Sequence, residues 1–366
     1  MKVRYLGSRL WLVFAAAACG SAEGGAPIKP IVPADTQPTP TTLQPAPAIH
    51  VAGNRLVDGA GRTVRLRGVN RSGTEFMCAQ GRGIFDGPSD STSVRAIAQW
   101  HVNVVRVPLN EACWLAINGV NASYAGATYQ QAIVDYVATL NRYGIVAIVE
   151  PHWTAPGTTI PLAQQPMPNR DHTVDFWKQV ATTFRTNNAV IFDLFNEPYP
   201  DNNADTPEAW RCWRDGGTCN GMNFQAAGMQ ELVTAVRSTG ATNVIMIGGV
   251  EYSARLSKWL ANKPVDPLNN LAASWHVYNF SWCNTRSCWD SDALPVSQQV
   301  PLILGELGQN DFGSAFNTSL MDWMDAIQGS YLAWTWDVWG TPLDLITKYD
   351  GTPTPYGATF RARFGG

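Results

Sequence analysis

The sequence predicts an α/β fold, a (β/α)₈ TIM barrel with a short N-terminal β-hairpin, because strand-like and helix-like patterns alternate along most of the chain. Apolar runs of strand length recur eight times, and stretches with helical periodicity lie between them. A doubly wound open sheet is the alternative, but its Gly-x-Gly-x-x-Gly motif does not follow the first strand, where Gly81–Asp86 lacks the last glycine. The predicted strands lie at about residues 66–70, 102–107, 145–150, 190–195, 244–248, 272–277, 301–305 and 331–336.

Three of the segments between strands carry apolar residues at positions i, i+3, i+4 and i+7, which predicts a helix with one buried face. These positions are Ile133, Tyr136, Val137 and Leu140, then Met229, Leu232, Val233 and Val236, then Leu320, Trp323, Met324 and Ile327. Gly144 and Gly240 each stand just before the next strand, where the C-terminal cap of a helix belongs. Strand and helix therefore alternate as a barrel requires.

Residues 1–19 predict a signal peptide, since basic residues precede an apolar run from Leu10 to Ala18. This run is short of the roughly 20 residues that a membrane-spanning helix needs. Cys19 follows three alanines and resembles a bacterial lipoprotein cleavage site, although Ala16 stands where such sites usually carry Leu. An ordinary secretory cleavage nearby is the alternative. We therefore expect an extracytoplasmic bacterial protein, either secreted or tethered to a membrane through a lipidated Cys19.

A linker and one globular domain follow the signal peptide. Residues 20–48 are rich in Pro, Thr, Ala and Gly, which predicts a disordered, semi-rigid spacer. Residues 49–366 predict the (β/α)₈ domain, and this domain opens with the hairpin. In that hairpin, apolar residues at 49–51 and 56–57 lead through the turn at 58–61 to residues 64–66.

The cysteines predict disulfides rather than a metal site. Setting Cys19 aside leaves an even number, Cys78, Cys113, Cys212, Cys219, Cys283 and Cys288. Fifteen connectivities are possible for six cysteines. Proximity in sequence favours Cys212 with Cys219 and Cys283 with Cys288, which leaves Cys78 with Cys113. No pair has the Cys-x-x-Cys spacing of a zinc site, and an oxidising compartment agrees with the signal peptide.

Composition excludes some partners and favours others. The net charge of −3 and the pI near 6.0 give no basic face for nucleic acid, so we expect no nucleic-acid partner. Fifteen tryptophans exceed what a core of this size needs, which favours a flat, partly apolar ligand. A calcium site at Asp201–Asp205 fails the EF-hand pattern, because Thr206 replaces the glycine and Cys212 replaces the bidentate Glu. We expect no metal or cofactor and a monomeric chain.

The residues at the ends of the eight strands are the candidates for catalysis, because all strand ends of a barrel face one cleft. In chain order they are Asn70, Arg106, His152 with Trp153, Asn196 with Glu197, Glu251, His276 with Tyr278, Glu306, and Trp334 with Trp336. Cleavage of a glycosidic bond needs two carboxyl groups, one protonated and one ionised. The fourth and seventh strands lie across the barrel mouth from each other. Glu197 and Glu306 are therefore the predicted pair.

These motifs resemble glycoside hydrolase family 5, the family of many cellulases and mannanases among the retaining barrel glycosidases, over residues 49–366. The resemblance rests on seven motifs in the family's order. They are the opening Arg67-Gly68-Val69-Asn70, Arg106 on the second strand, His152 after the third, Asn196-Glu197-Pro198 after the fourth, His276-Val277-Tyr278 on the sixth, Glu306 on the seventh and Trp336 ending the eighth.

The resemblance implies a role for each residue. Glu197 is the acid/base, whose pKa must be raised by burial and by a neighbouring charge, and Glu306 is the ionised nucleophile. Substrate-binding roles fall to Arg106, His152, Asn196, His276, Tyr278 and Trp336. Among these, Arg106 and Tyr278 would compensate and orient Glu306, and Asn196 would bond the sugar 2-hydroxyl. Trp336, rather than Trp334, would form the floor under the sugar. Loop tryptophans 114, 153, 282, 289 and 339 are candidates for further subsites or for packing.

The sequence therefore predicts a retaining glycoside hydrolase that cleaves a β-linked polysaccharide or oligosaccharide, in the first place an endo-β-1,4-glucanase. An endo-β-1,4-mannanase, another β-glycanase or an exo-acting glycosidase of the same family would use the same carboxyl pair, because loops set specificity. A non-catalytic carbohydrate-binding barrel is the alternative from a different class, and the presence of both Glu197 and Glu306 argues against it.

Overall fold

The computed structural model of the protein describes residues 44–365. The predicted signal peptide, Cys19 and residues 20–43 of the predicted linker lie outside the described residues. The end of that linker already contacts the barrel, since the backbone N–H of Ala46 donates a 2.8 Å hydrogen bond to the carbonyl of Asn141. Across residues 44–365, no helix combines the length and the apolar character needed to cross a membrane.

Eight parallel strands close into a barrel in the order of the sequence, so the predicted fold class is confirmed. They are β1 (Arg67–Asn70), β2 (Val104–Asn110), β3 (Val146–Trp153), β4 (Val190–Asp193), β5 (Ile245–Gly248), β6 (Leu271–Tyr278), β7 (Leu302–Gly308) and β8 (Ser330–Ala333). β8 pairs with β1 to close the ring. The main departure from prediction is β8, which ends at Ala333 instead of near residue 336. All eight C-terminal ends open on one face.

Helices follow the strands and pack around the barrel. The longer ones are Ser91–Ala98, Ala127–Arg142, Thr173–Phe184, Pro207–Asp215, Met229–Ser238, Ala315–Ala326 and Pro355–Gly365. Short helices lie at Glu111–Leu115, Pro200–Asn203, Trp259–Asn262, Arg286–Cys288 and Leu294–Ser297, with a π-helical turn at Trp289–Ala293. The predicted apolar stripes are buried except for Ile327, which is half-buried and follows its helix. Gly144 and Gly240 both adopt φ 79°, as helix-ending glycines do.

A hairpin closes the bottom of the barrel. Its strands, His50–Ala52 and Arg55–Val57, pair antiparallel, so its turn lies at residues 53–54 and not at residues 58–61 as predicted. Across residues 58–61 an isolated antiparallel bridge joins Val57 and Thr63. Ile49 and Leu56 pack in the inner core with Val104, where the barrel strands begin. Two further small sheets lie in the loops. In one, Gly216–Thr218 pairs with Gln225–Ala227, and in the other, Ile346–Lys348 pairs with Thr352–Pro353.

Side chains along each strand point alternately toward the helices and into the barrel, so the apolar side chains form two layers. The inward-pointing row leads to the site. Residues such as Val105 and Val149 face the helices, whereas Val104, Ile148 and Ile191 fill the inside of the barrel. Two residues further along each inward row, the side chains become charged: Arg106 follows Val104, Glu150 follows Ile148 and Asp193 follows Ile191. All three charged side chains are fully buried. The barrel therefore carries a charged layer on top of an apolar one.

The three predicted disulfides are confirmed, and each joins parts of the loops at the C-terminal face. Cys78–Cys113 ties the loop after β1 to the helix after β2, Cys212–Cys219 lies in the loop after β4, and Cys283–Cys288 lies in the loop after β6. Because a disulfide restricts the conformations that a loop can adopt, these bonds hold the walls of the cleft in place.

Candidate active site

Glu306 lies on β7 with donors on both of its carboxylate oxygens. Its partner in the strand register is His276 on β6, and Arg106 approaches from β2 across the barrel. Arg106 Nη1 donates a 2.8 Å hydrogen bond to Oε1 of Glu306, and the hydroxyl of Tyr278 donates a 2.6 Å hydrogen bond to Oε2. Donors on both oxygens suit a carboxylate that carries a full negative charge and must keep one orientation.

Glu197 follows β4 after a short turn and faces the same cleft. Its Oε2 accepts a 2.8 Å hydrogen bond from Nε2 of Gln164, and its Oε1 lies 3.0 Å from Nδ1 of His276. Only 13% of its side chain is exposed. Burial raises the pKa of Glu197, while the hydrogen bond from Gln164 opposes that rise. The positive charges of His152 and Arg106 also oppose the rise, and the negative charge of Glu150 adds to it.

The two carboxyl groups are close together, with His276 between them. One oxygen of each lies within 4.8 Å of the other, and His276 Nδ1 is 3.0 Å from Glu197 and 3.7 Å from Glu306. Burial lowers the pKa of His276 to about 4, so its imidazole is neutral near neutral pH. A spacing of about 5 Å is the one that a retaining glycosidase needs, because an inverting enzyme must leave room for water.

The same three side chains, Glu197, His276 and Glu306, form the group of described residues whose atoms lie close enough to share a metal ion. Their oxygens already accept hydrogen bonds from Gln164, Arg106 and Tyr278. The protein's own donors therefore hold the carboxylates in place, and the arrangement requires no ion to do so.

Arg106 is the centre of the charged layer. Besides Glu306, its guanidinium contacts Asp193 at 3.0 Å and Glu150 at 3.4 Å. Its Nη2 also donates a 2.8 Å hydrogen bond to Oδ1 of Asn196. Burial raises the pKa of Asp193 to about 7 against the opposing charge of Arg106. One guanidinium thus fixes residues from three strands, β3, β4 and β7, and from the segment just after β4.

His152 supplies a second positive charge. Its Nδ1 lies 2.7 Å from Oε1 of Glu150, and its ring is 7% exposed. Burial alone would lower the pKa of His152, but the charge and the hydrogen bond of Glu150 raise it to about 9. Nε2 of His152 is 3.5 Å from Nδ2 of Asn196, and its ring stacks on Trp334 at 5.5 Å. His152 therefore links the charged layer to an aromatic wall.

Trp336 does not lie in the cleft, so the prediction that it forms the floor is wrong. It is 1% exposed and packs edge-on against Trp100 with 4.7 Å between ring centroids. The reason is that β8 ends at Ala333, so Trp336 no longer stands at the end of the strand, where the prediction placed it. Trp334 is the half-buried tryptophan that lines the cleft, two residues after the inward-facing Leu332.

The cleft between the loops has a volume of about 760 Å³ and contains both carboxyl groups. Exposed aromatic residues lie among its walls, including Tyr252, Phe280 and Trp282. A second aromatic group consists of Phe76 with Trp153 at 6.1 Å and Trp339 at 5.9 Å. Of the remaining loop tryptophans, residues 114 and 289 are buried. Of the fourteen tryptophans among residues 44–365, ten are fully buried, so most of them serve the core.

Three residues of the site were missed by the sequence reasoning. Glu150 lies inside β3 and Asp193 is the last residue of β4. A charge within an otherwise apolar run could have revealed both. Gln164 is different, since it reaches Glu197 from the long loop after β3. No periodicity marks a residue in such a loop, so the sequence offered no signal for it.

Two known proteins are similar in sequence to most of this chain. A mannan endo-1,4-beta-mannosidase of Cellvibrio japonicus is 21% identical over 319 residues, which cover 84% of this chain and 64% of that protein. Endoglucanase E-5 of Thermobifida fusca is 23% identical over 330 residues, covering 86% of this chain and 61% of that protein. The chain thus spans less than two thirds of the length of these two relatives.

A solved structure shares the fold. It is a beta-glucanase from Saccharophagus degradans in complex with cellotetraose, with a TM-score of 0.68 and 20% identity, covering 90% of this chain and 97% of that chain. The family described as cellulase, glycosyl hydrolase family 5, matches residues 57–341. This match covers most of the chain and includes both Glu197 and Glu306. The chain therefore belongs to the cellulase family, glycosyl hydrolase family 5.

Proposed function

We propose that the protein is an endo-β-1,4-glucanase that hydrolyses a β-linked polysaccharide with retention of configuration. The observation that carries the proposal is the pair Glu197 and Glu306, whose carboxylate oxygens approach within 4.8 Å at the mouth of the barrel. Such a separation leaves room for direct attack by one carboxylate on the sugar. The two groups also differ in the way that the reaction demands, since one is hydrogen-bonded by Arg106 and the other is desolvated.

In the first step, Glu197 gives its proton to the glycosidic oxygen while Glu306 attacks the anomeric carbon. The glycosidic C–O bond breaks, the leaving sugar departs as an alcohol, and an ester forms between the glycone sugar and Glu306. The raised pKa of Glu197 keeps a proton available for this transfer. Arg106 and Tyr278 hold Glu306 in line for the attack.

In the second step, Glu197 acts as a base. It takes a proton from water, the water oxygen attacks the anomeric carbon, and Glu306 leaves as a carboxylate. Two displacements at one carbon retain the β configuration. Arg106 binds Oδ1 of Asn196 and so fixes the orientation of the amide, and an N–H of Nδ2 can then donate to the sugar 2-hydroxyl. Trp334 takes over the role of the floor under this sugar, since its side chain faces the cleft.

Endo action is favoured by aromatic residues on both sides of the carboxyl pair. Trp334 and Trp339 follow β8, and Trp153 is the last residue of β3. Tyr252 and Trp282 come from the loops after β5 and β6. A chain that crosses the mouth would contact both groups and would be cut internally. An exo-acting enzyme would instead close one side into a pocket.

A mannanase is the second candidate, favoured by the similarity to the mannan endo-1,4-beta-mannosidase of Cellvibrio japonicus. Glucose and mannose differ only in the orientation of the 2-hydroxyl. That hydroxyl would face Asn196 and His152. Because the difference between the sugars lies there, Glu197 and Glu306 would act on both sugars in the same way. The choice between them therefore needs a direct measurement.

The deciding experiment is hydrolysis of β-1,4-glucan, β-1,4-mannan and mixed-linkage glucan, with the lengths of the products resolved over time. We expect early release of oligosaccharides of several lengths from glucan. Faster cleavage of mannan would favour the second candidate, and release of monosaccharide alone would overturn endo action. Glu306→Ala tests catalysis itself: if wild type cleaves no β-glycan and both proteins bind the same glycan equally, the protein is a binding barrel.

We also propose that the enzyme is monomeric and works outside the cytoplasm, tethered through Cys19. Three disulfides in the described chain support an oxidising compartment. Cys19→Ser in the producing bacterium should move the enzyme from the membrane fraction to the medium. An unchanged distribution would contradict the tether, and light scattering after size exclusion measures the oligomeric state.

A further inference from the structure

We propose that Trp282, supported by Arg255, forms a sugar-binding platform on the leaving-group side of Glu197. The proposal rests on the proposed function, because it names where the leaving part of a neutral β-glycan binds. This platform would give the enzyme a preference for long chains over short ones. The proposal is supported by the position of Trp282 and Arg255, by the contact between them, by the rigidity of the loop that carries Trp282 and by the neutralised charge of Arg255.

The position follows from the order of the strands. Glu197 follows β4 and Glu306 lies on β7, so the line between them divides the barrel mouth. Asn196 and His152, which would hold the 2-hydroxyl of the attacked sugar, lie with Trp334 on the side of β3 and β8. The loops after β5 and β6 lie on the other side of the line. Those loops carry Arg255 and Trp282, so the pair faces the leaving group.

Arg255 supports one face of the indole. The guanidinium carbon lies 3.5 Å from the centroid of Trp282, which is the distance of direct stacking. Trp282 remains 41% exposed and lines the cleft, so a part of its side chain that Arg255 does not cover is available to a ligand. The C–H face of a pyranose ring is apolar and flat, and it matches the open face of an indole.

The loop that carries Trp282 is fixed before any ligand binds. The next residue is Cys283, which is disulfide-bonded to Cys288. The carbonyl of Cys283 accepts a 3.0 Å hydrogen bond from the indole of the buried Trp289, and Ser281 Oγ accepts one from the backbone N–H of Tyr278. A platform that is already ordered loses little conformational entropy when it binds, so a weak stacking contact yields useful affinity.

The charge of Arg255 is already neutralised. Its Nε donates a 2.8 Å hydrogen bond to Glu251, and its Nη1 lies 3.5 Å from Asp205. Asp205 also binds Lys258 at 2.7 Å, which completes a balanced group of four charges. With two carboxylates beside it, Arg255 offers little attraction to an anionic sugar. The platform therefore selects a neutral pyranose and not a uronic acid.

The test compares two substrates in Trp282→Ala. Cellohexaose places sugars on both sides of Glu197, whereas β-cellotriosyl fluoride has a single atom as its leaving group and cannot reach the platform. We expect the ratio of kcat/KM for cellohexaose to that for the fluoride to fall at least about tenfold, the loss typical of a buried aromatic contact. Trp282→Phe keeps a flat ring and should retain most of the ratio.

Phe312→Ala is the matched control, because Phe312 is 77% exposed and lies outside the lining of the cleft. It should leave both rates unchanged. An unchanged ratio in Trp282→Ala overturns the proposal, and so does an equal loss on both substrates. A wild type inactive on both substrates overturns the proposed function instead. Calorimetry then compares the affinity for cellohexaose of Glu306→Ala and of Glu306→Ala/Trp282→Ala. Equal affinities would overturn the proposal that Trp282 binds a sugar.

Discussion

Nε2 of Gln164 donates a 2.8 Å hydrogen bond to Oε2 of Glu197. This bond favours the ionised carboxylate and opposes the rise in pKa that burial produces. In Gln164→Ala the pKa of Glu197 should therefore rise further, and the alkaline limb of the kcat/KM profile should move to higher pH. The measurement is a pH profile on a short oligosaccharide.

The neighbouring Gln165 is the control for this profile, since it is also half-buried and makes no hydrogen bond to Glu197. Gln165→Ala should leave the alkaline limb where it is. Movement of the limb to lower pH in Gln164→Ala would contradict the assignment of that limb to Glu197.

The pKa of His152 depends on Glu150. Burial alone would lower the pKa, whereas the charge and hydrogen bond of Glu150 raise it to about 9. In Glu150→Gln the charge is lost, so the pKa of His152 should fall by at least about one unit. NMR titration of the five histidines measures this directly. A pKa that stays near its wild-type value in Glu150→Gln would show that another group holds the proton.

Trp334 and Trp336 should respond to mutation in opposite ways. Trp336 is buried against Trp100, so Trp336→Ala should lower the free energy of unfolding by about 3–5 kcal/mol. Trp334 faces the cleft, so Trp334→Ala should lower kcat/KM by at least about tenfold with a smaller loss of stability. Urea unfolding and kinetics on both variants provide the test. A loss of kcat/KM in Trp336→Ala together with a loss of stability in Trp334→Ala would instead show that Trp336 lies in the cleft.

Glu111 should make stability depend on pH from outside the site. It is fully buried, and burial raises its pKa to about 7 against its hydrogen bonds with Thr173 and Asn169. A carboxyl whose pKa is higher in the folded state contributes stability that is lost as pH rises from about 4.5 to 7. Glu111→Gln removes this loss. Between about pH 5 and pH 8 the variant should therefore gain up to about 3 kcal/mol relative to wild type, measured by urea unfolding. A difference that stays constant with pH would contradict the raised pKa.

The sequence predicted those parts of the protein that repeat. Apolar runs marked all eight strands, since both faces of a barrel strand are buried, and helical stripes such as Met229 to Val236 marked the helices. Glu197 and Glu306 were found because strand ends in a barrel converge. Parts that depend on three-dimensional contact were missed. Gln164 reaches the site from a loop, and Trp336 turns into the core where β8 stops.

In the proposed reaction, Glu306 becomes covalently bonded to the sugar while Glu197 transfers the proton. With 2-deoxy-2-fluoro-β-cellobiosyl fluoride, the enzyme should form this ester quickly and hydrolyse it slowly. The fluorine at C2 destabilises the transition states of both steps, whereas the fluoride leaving group speeds only the first step, in which the ester forms. Mass spectrometry of the intact protein and of its peptic fragments is the measurement. We expect one added 2-deoxy-2-fluorocellobiosyl group per chain, located on Glu306. A label on another residue, or turnover of natural substrate with an inverted product and no label, would contradict it.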